Sequence, residues 1–262
     1  MRMLDSTKQS VRDYWDAEPC GTGTVPIAPG SREFFDAMER HRYTVEPFIR
    51  PFANFQHWAG KTMLEIGCGA GTDHLQFARA GARACAVDVS SQSVALTRRR
   101  LAAYGFGAER VLVGDAEHLP FSSSSFDLVY SWGVLHHSPD TPRTVREVYR
   151  VLRPGGDVRI MLYHRFSLVS LQFYLKYGLF RGQPFRSINA IMAAHQESPG
   201  TKVYSCAEVR QMFGGFEAVT VSPVLTPYDL RSGRKPFLPK WAGHFLPNGL
   251  GYFLLMSGRK PA

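Results

Sequence analysis

Short apolar runs alternate with stretches of helical periodicity along most of the chain. Runs near 62–66, 83–87, 110–113, 126–130 and 156–162 predict buried strands, and runs near 216–222 and 251–258 predict two more. Apolar residues at helical spacing predict helices near 72–80, 91–104, 141–151 and 205–213. Because strands that alternate with helices are typical of a sheet with crossover helices, the pattern predicts an α/β fold with a seven-stranded sheet.

Residues 62–73 combine a strand, a tight turn and a helix start. Glycines at 67, 69 and 71 follow the apolar run, and Thr72 and Asp73 suit the first turn of a helix. Glycine reaches backbone angles closed to other residues and leaves room for a ligand against the main chain. Since unpaired N–H groups at the helix start would face the same ligand, this segment predicts a binding loop for a nucleotide-like cofactor.

Carboxylates end or follow three of the predicted strands, at Glu65, Asp88 and Asp115. Three carboxylates in a partly dry cleft would repel a pyrophosphate. Thr72 also stands where the dinucleotide pattern G-x-G-x-x-G has its last glycine. The charges therefore favour a cofactor with a positive charge and neutral hydroxyls.

Five ordered segments between about residues 60 and 162 resemble the motifs of S-adenosylmethionine-dependent methyltransferases with the Rossmann-like fold. They are the glycine loop with Glu65, the strand end at Asp88, Gly114-Asp115-Ala116, residues 126–129 and residues 152–156. Residues 133–137 and 147–152 are similar to the branch that includes the ubiquinone and menaquinone biosynthetic methyltransferases. The resemblance implies S-adenosylmethionine as cofactor and a mostly parallel sheet with helices on both faces, whose last strand runs antiparallel.

The resemblance also suggests how the chain is divided. Residues 1–58, with helices at 1–18 and from Ser31, would form an N-terminal helical lid, and residues 59–164 the cofactor-binding core. Residues 165–204 are longer than a simple connection needs, and we expect them to form an inserted substrate cap. Residues 205–262 would complete the core sheet.

Family roles carried over by position place cofactor contacts at several strand ends. The glycine loop would receive the methionine part, Asp88 would accept hydrogen bonds from both ribose hydroxyls, and Asp115 would accept one from the adenine amino group. Aromatic residues of the lid would shield the sulfonium or pack the lid onto the core. The predicted contacts are Tyr14, Glu65, Gly67, Cys68, Gly69, Gly71, Asp88, Val89, Asp115, Ala116, Ser131 and Trp132.

Methyl transfer from a sulfonium requires alignment and partial desolvation of the acceptor more than a covalent nucleophile. A general base helps when the acceptor is a hydroxyl or an acidic carbon, and histidine titrates near neutrality. His136 and His137 follow the fourth strand, and His164 follows the fifth. These three are the candidate bases, and we expect at most one of the adjacent pair to face the cavity.

Composition limits the partners. The 262-residue chain has a net charge of +9; residues 1–152 hold 17 Lys/Arg and 17 Asp/Glu, whereas residues 153–262 hold 14 and 5. The basic second part is compatible with an anionic acceptor, a membrane surface, nucleic acid or simply a solvated surface.

Four cysteines without metal-ligand spacing predict free thiols and no metal site. The longest apolar stretch, 166–180, is too short and too polar to span a bilayer, so we expect a cytoplasmic protein.

These observations predict a methyltransferase that acts on a small biosynthetic metabolite, with an anionic and a partly lipophilic acceptor both left open. An RNA or protein methyltransferase is the alternative, although Ser131-Trp132-Gly133-Val134 stands where many of those carry Asn/Asp-Pro-Pro-Tyr/Phe. A non-catalytic S-adenosylmethionine-binding partner protein is a second alternative. The sequence leaves the methylated atom, the use of a base and the oligomeric state open.

Overall fold

The computed structural model describes residues 2–108, 110–232, 235–236 and 245–262. Seven strands form one sheet in the order β3-β2-β1-β4-β5-β9-β6, and β7 and β8 form a separate two-stranded sheet. The strands are β1 (Thr62–Ile66), β2 (Arg83–Asp88), β3 (Val111–Val113), β4 (Phe126–Trp132), β5 (Leu152–Tyr163), β6 (Glu217–Val224), β7 (Arg231–Ser232), β8 (Lys235–Pro236) and β9 (Phe253–Arg259).

The α-helices of the described residues are α1 (Arg2–Ala17), α2 (Arg32–Val45), α3 (Ile49–Ala53), α4 (Thr72–Arg79), α5 (Ser91–Ala103), α6 (Thr141–Val151), α7 (Leu168–Tyr177), α8 (Ile188–His195) and α9 (Cys206–Met212). The predicted helices are present within a few residues of their predicted bounds, and three further helices, α3, α7 and α8, were not predicted from the sequence. None of these described helices is long and apolar enough to cross a membrane.

The predicted seven-stranded, mostly parallel sheet is confirmed. Strands β1 to β5 pair in parallel, whereas β9 pairs antiparallel with both β5 and β6. Strand β5 begins four residues earlier than predicted because Leu152 pairs with Phe126, with a register shift before the regular pairing of Leu128 with Asp157. The carboxyl ends of β1, β2 and β4 therefore lie side by side at one edge of the sheet.

Side chains that alternate along the central strands build a core on each face of the sheet. Leu64 and Val129 pack with α6 and α9, through residues such as Val148 and Phe213. Met63 and Leu128 point to the opposite face, toward α3, α4 and the inserted segment. Helices on both faces are thus required to cover the two apolar surfaces.

The segment predicted as a cap, residues 165–204, contains α7 and α8, and its ends meet at the carboxyl end of β5. The Arg165 amide donates to the Tyr204 carbonyl at 2.8 Å, and the Tyr204 amide donates to the Tyr163 carbonyl at 2.9 Å. The insertion therefore emerges beside the strand ends that carry the predicted site. Its role as a cap stays a prediction.

Candidate functional site

A cavity of about 260 Å³ lies at the carboxyl ends of β1, β2 and β4. Its floor is the glycine loop after β1, and its walls come from the strand ends, from α1 and from α2. Ten of the predicted residues line it: Glu65, Gly67, Cys68, Gly69, Asp88, Val89, Asp115, Ala116, Trp132 and His137. The sheet topology thus brings together residues that are up to 72 positions apart in sequence.

The glycine loop passes very close to the segment after β4. Gly67 has φ of +77°, and a Cβ there would lie 2.2 Å from Cγ2 of Val134. Only glycine fits this approach. Gly71 also has a positive φ, but it faces Thr97 of α5 and does not line the cavity. The cofactor contact at Gly71 stays a prediction, and this glycine allows α4 to pack closely against α5.

The Asp88 carboxylate is buried at the end of β2 and fixes the glycine loop. Its Oδ2 accepts the Gly69 amide at 2.9 Å, and its Oδ1 accepts the Ser90 amide at 2.9 Å. Burial raises the pKa of Asp88 to about 6, although these two amides act to lower it. Each oxygen accepts only one of these bonds, so each keeps acceptor capacity toward the cavity.

The Glu65 carboxylate, at the end of β1, is paired with a buried histidine. Its Oε2 lies 3.0 Å from Nδ1 of His74 in α4, and both side chains are buried. Burial raises the pKa of Glu65 to about 7, against the lowering effect of His74. Glu65 therefore presents to the cavity a carboxyl group that is held in place by His74.

Asp115 and Glu117 follow β3 and share one lysine of α1. The Lys8 ammonium lies 2.7 Å from Asp115 Oδ2 and 2.5 Å from Glu117 Oε2. Burial acts to raise the pKa of Asp115, but the hydrogen bond from Lys8 and the Glu117 amide hold it below its usual value. Asp115 thus remains an ionised acceptor at the cavity wall.

Helix α1 covers the cavity with one face. Lys8, Val11, Arg12 and Trp15 line it, and their spacing places them on one side of a helix. The C-terminal end of α1 is fixed to the start of α5, because Asp16 Oδ1 accepts from Ser90 Oγ at 2.7 Å and from the Gln92 amide at 3.2 Å. A helix held at one end over a cavity is the arrangement expected of a lid.

Helix α2 supplies the opposite wall through Arg42, which is bound to Asp73 of α4. Arg42 Nε and Nη2 donate to the two Asp73 oxygens at 3.1 and 2.8 Å, and the hydroxyls of Tyr43 and Tyr130 donate at 2.9 and 2.8 Å. Burial acts to raise the pKa of Asp73, but Arg42 and the two hydroxyls keep it below its ordinary value.

Trp132 is held in place beside this wall. Its indole N–H donates to Glu46 Oε2 at 3.0 Å, and the Tyr228 hydroxyl donates to Glu46 Oε1 at 3.0 Å. Glu46 is buried, and burial raises its pKa, partly offset by Arg42. The indole therefore has one orientation at the end of β4.

His137 is the one candidate base that lines the cavity. Its Nδ1 lies 3.0 Å from Thr201 Oγ1 and 2.9 Å from Ser198 Oγ, both in the inserted segment. Its Nε2 lies 3.4 Å from Glu197 Oε2, and its ring contacts Trp15 edge-on at 5.2 Å. The insertion therefore holds this ring in place at the cavity.

The structure places the other two candidate bases away from the cavity. The His136 ring is fully buried against Tyr163, 3.9 Å between centroids, and neither ring nitrogen has a hydrogen-bond partner among the described residues. Burial lowers its pKa well below the usual value. His164 is also buried, with Nδ1 3.0 Å from the Gly251 carbonyl. Both predictions of a base are corrected, because these side chains point into the protein.

Two predicted cofactor contacts also lie elsewhere. The Ser131 hydroxyl donates to the Ile66 carbonyl at 2.9 Å and so ties β4 to β1. Tyr14 is exposed on α1 and packs edge-on against Trp15, which takes its place at the cavity. In each case the neighbouring residue in sequence faces inward.

Several lining residues were not identified from the sequence. They lie outside the recognised motifs: Lys8, Arg12, His41, Arg42, Glu46, Glu117 and Tyr228. For α1 a signal existed, since Lys8, Val11, Arg12 and Trp15 share helical spacing. Among the described residues, no group of three or more His, Cys, Asp or Glu could hold a metal ion.

The known proteins that this chain resembles in sequence include several methyltransferases. A family model described as a methyltransferase domain matches residues 64–160. Demethylmenaquinone methyltransferase from Thermobifida fusca (strain YX) is 30% identical over 149 residues, which cover 57% of this chain and 62% of that protein. Phosphoethanolamine N-methyltransferase 2 from Caenorhabditis elegans is 34% identical over 116 residues, which cover 44% of this chain and 26% of that protein. The chain therefore spans between about a quarter and three fifths of the length of these curated relatives.

A solved structure shares the fold across nearly the whole chain. Geranyl diphosphate C-methyltransferase from Streptomyces coelicolor A3(2), in complex with Mg²⁺, geranyl diphosphate and S-adenosyl-L-homocysteine, superposes with a TM-score of 0.66 at 16% identity. The match covers 97% of this chain and 98% of that one. At this identity the likeness concerns the fold alone.

Proposed function

We propose that this chain, whose residues 64–160 match a methyltransferase domain, transfers a methyl group from S-adenosylmethionine to a small metabolite. One observation carries the proposal. The glycine loop and the carboxylates of Glu65, Asp88 and Asp115 converge on a single cavity under α1. Such a cavity suits a ligand with hydroxyl and amino donors and a positive charge.

The residues present fit this cofactor. The Gly67 main chain lines the cavity, and Asp88 keeps acceptor capacity that a ribose diol would use. Asp115 would accept from the adenine amino group, and Trp132 would lie at the methionine or sulfur end. When bound, S-adenosylmethionine would supply an electrophilic methyl group. The contribution of the protein would then be to orient the acceptor and to exclude water, with α1 as the lid.

His137 is the residue that we propose as general base or as an orienting group for the acceptor. Hydroxyls of the inserted segment lie within hydrogen-bond distance of Nδ1, and Nε2 lies 3.4 Å from Glu197 Oε2. Glu197 also accepts the Tyr163 hydroxyl at 3.0 and 3.1 Å. A carboxylate near Nε2 stabilises the imidazolium that forms when the ring takes a proton. The inserted segment would thus supply part of the acceptor site.

The charges at the cavity are compatible with an anionic acceptor. Arg12 of α1 and His41 of α2 line the cavity on exposed parts of their helices, and no described carboxylate pairs with either. Lys8 and Arg42, in contrast, are occupied by carboxylates. The relatives named above act on small molecules by their names, which supports a metabolite over a macromolecule as acceptor.

Calorimetry with S-adenosylhomocysteine tests the cofactor site. We expect wild-type protein to bind, and Asp88→Ala to weaken binding at least ~10-fold because hydrogen bonds to a charged group are lost. Asp157→Ala is the matched control, since Asp157 lies in the middle of β5, pairs with Arg259 and does not line the cavity. Equal binding by wild type and Asp88→Ala would refute the assignment.

Activity measurements distinguish the proposed function from its two alternatives, an RNA or protein methyltransferase and a non-catalytic cofactor-binding partner protein. Incubation with labelled methyl donor and a panel of metabolites should label a small molecule, and the labelling should survive nuclease treatment. Loss of labelling on nuclease digestion would move the RNA alternative to first place. Cofactor binding without transfer to any metabolite, protein or RNA acceptor would favour a non-catalytic partner protein.

A further inference from the structure

The inserted segment exposes several large apolar side chains. Leu171 is 51% exposed, Leu179 44%, Phe180 77% and Phe185 99%. We call these four residues the apolar patch. Phe166, 63% exposed, lies just before α7 at the other end of the same helix. Exposed aromatic side chains gathered in one segment are unusual for a surface that faces water alone and mark an interaction site.

The local structure holds the patch in place. The Tyr174 hydroxyl donates to the Pro184 carbonyl at 2.8 Å, and the Gln183 amide donates to the Gly178 carbonyl at 2.9 Å. These bonds fold residues 182–186 back against the last turn of α7. Phe180 and Phe185 therefore project from a hydrogen-bonded turn that lies against a helix, and their exposure belongs to the fold.

The surroundings of the patch are basic. Residues 165–204 contain five Lys or Arg and one acidic residue, Glu197, a net charge of +4. Lys176 and Arg181 are exposed, and neither has a carboxylate partner among the described residues. Arg186 donates only to the uncharged Gln183 Oε1 and Ala190 carbonyl, at 3.4 and 3.3 Å. Cations that lack acidic partners thus border exposed apolar side chains.

We propose that this surface docks onto an anionic phospholipid membrane. Phenylalanine and leucine side chains enter the boundary between headgroups and acyl chains, and nearby Lys and Arg side chains contact the phosphates. A second copy of the chain fits less well, because a two-fold contact would place Lys176, Arg181 and Arg186 against their own copies. The proposal requires surface contact only, in agreement with the lack of a spanning helix among the described residues.

The docking surface is connected to the candidate active site. Glu197, Ser198 and Thr201 of the same inserted segment contact His137, which lines the cavity. The inserted segment therefore carries both the patch and the residues that contact the candidate base. The docking proposal itself does not depend on the proposed methyl transfer, since it rests on exposure and charge.

Sedimentation with lipid vesicles tests the proposal on the full chain. We expect the protein to bind vesicles of phosphatidylcholine and phosphatidylglycerol at least ~10-fold more strongly than vesicles of phosphatidylcholine alone. The double variant Phe180→Ser/Phe185→Ser should bind the mixed vesicles at least ~10-fold more weakly than wild type. Phe180→Leu/Phe185→Leu is the matched control and should keep most of the binding, because it keeps most of the apolar area.

The charge contribution is tested separately with Arg181→Glu/Arg186→Glu, which should remove the preference for the anionic lipid. All altered side chains are exposed or half-exposed, and unchanged circular dichroism and S-adenosylhomocysteine binding would show that each variant folds. No binding by wild type, or equal binding by wild type and the serine variant, overturns the proposal. So does a dimer in light scattering that the serine variant dissociates without any change in vesicle binding.

Discussion

Arg42 of α2 binds both carboxylate oxygens of Asp73 in α4, at 3.1 and 2.8 Å, beneath the candidate active site. Tyr43 and Tyr130 donate to the same carboxylate. We predict that Asp73→Ala lowers the free energy of unfolding by ~3–5 kcal/mol, because it leaves a partly buried guanidinium and two buried hydroxyls without their acceptor. Urea denaturation measures this loss.

Glu39→Ala is the control for this prediction. It removes an ion pair with Arg79, 2.9 Å across, whose arginine side chain is about one third exposed. Such a pair contributes at most about 1 kcal/mol. Similar losses for Glu39→Ala and Asp73→Ala would contradict a special role for the buried cluster.

Cofactor binding should depend on pH through Asp88. Burial raises the pKa of this carboxyl to about 6, and only its ionised form accepts hydrogen bonds from both ribose hydroxyls. The dissociation constant for S-adenosylhomocysteine should therefore increase as the pH falls below 6, approaching about 10-fold per pH unit. Calorimetry between pH 5 and pH 8 measures it.

Asp88→Asn provides the comparison for the pH dependence. The amide does not titrate, so the variant should bind more weakly at pH 8 and lose most of the change between pH 6 and pH 5. Burial also raises the pKa values of Glu65 and Glu46, which line the same cavity. A pH profile that is the same in wild type and Asp88→Asn would assign the dependence to one of these two acids instead.

The close approach of Gly67 to Val134 predicts a steric cost that can be separated from backbone strain. Gly67→Ala places a Cβ 2.2 Å from Val134 Cγ2 at φ of +77°, whereas Gly60 has φ of +73° with nothing within 4 Å of a Cβ. Gly60→Ala should cost ~1 kcal/mol from the left-handed backbone alone. Gly67→Ala should cost ~1–3 kcal/mol more and weaken S-adenosylhomocysteine binding. Equal losses of unfolding free energy for Gly67→Ala and Gly60→Ala would show that the glycine loop can shift to accommodate the Cβ without further cost.

The hydrogen bonds of Asp16, which fix the C-terminal end of α1 to α5, predict an effect on the rate of cofactor dissociation. Asp16→Ala removes the acceptor of Ser90 Oγ and of the Gln92 amide, so α1 should open more often. We expect hydrogen exchange of the α1 amides and dissociation of S-adenosylhomocysteine both to accelerate by about 10-fold. Asp13→Ala is the control, because Asp13 accepts only from Gln9 within α1 in a solvent-exposed bond. Faster exchange with unchanged dissociation would separate helix stability from a lid role.

Much of the architecture could be predicted from the sequence because local patterns determine it. The short apolar runs of β1 and β4, which are buried almost throughout, and the helical spacing of α6 identify strands and helices directly. The carboxylates at strand ends were also predictable, since parallel strands bring their carboxyl ends to one edge. Asp88 and Asp115 follow from that rule without any knowledge of the tertiary contacts.

Side-chain direction in irregular segments was not predictable. His136 and His137 are adjacent in a short 3₁₀ turn, and only tertiary packing against Tyr163 decides which ring turns inward. Tyr14 and Trp15 pose the same problem on α1, where the angular position of the helix over the cavity depends on distant contacts. Lys8 and Tyr228 line the same cavity although they lie far apart in the chain, and no local sequence pattern indicates this.

Strand β9 lies between β5 and β6, although it follows both of them in the chain. During synthesis on the ribosome, β6 and the apolar side of α9 must therefore wait for residues 253–259 before they can join the sheet. Nascent chains that stop short of β9 would leave the backbone edge of β5 unpaired and prone to association with other strands. Folding of this molecule thus has a late step, in which β9 inserts between β5 and β6 and completes the sheet.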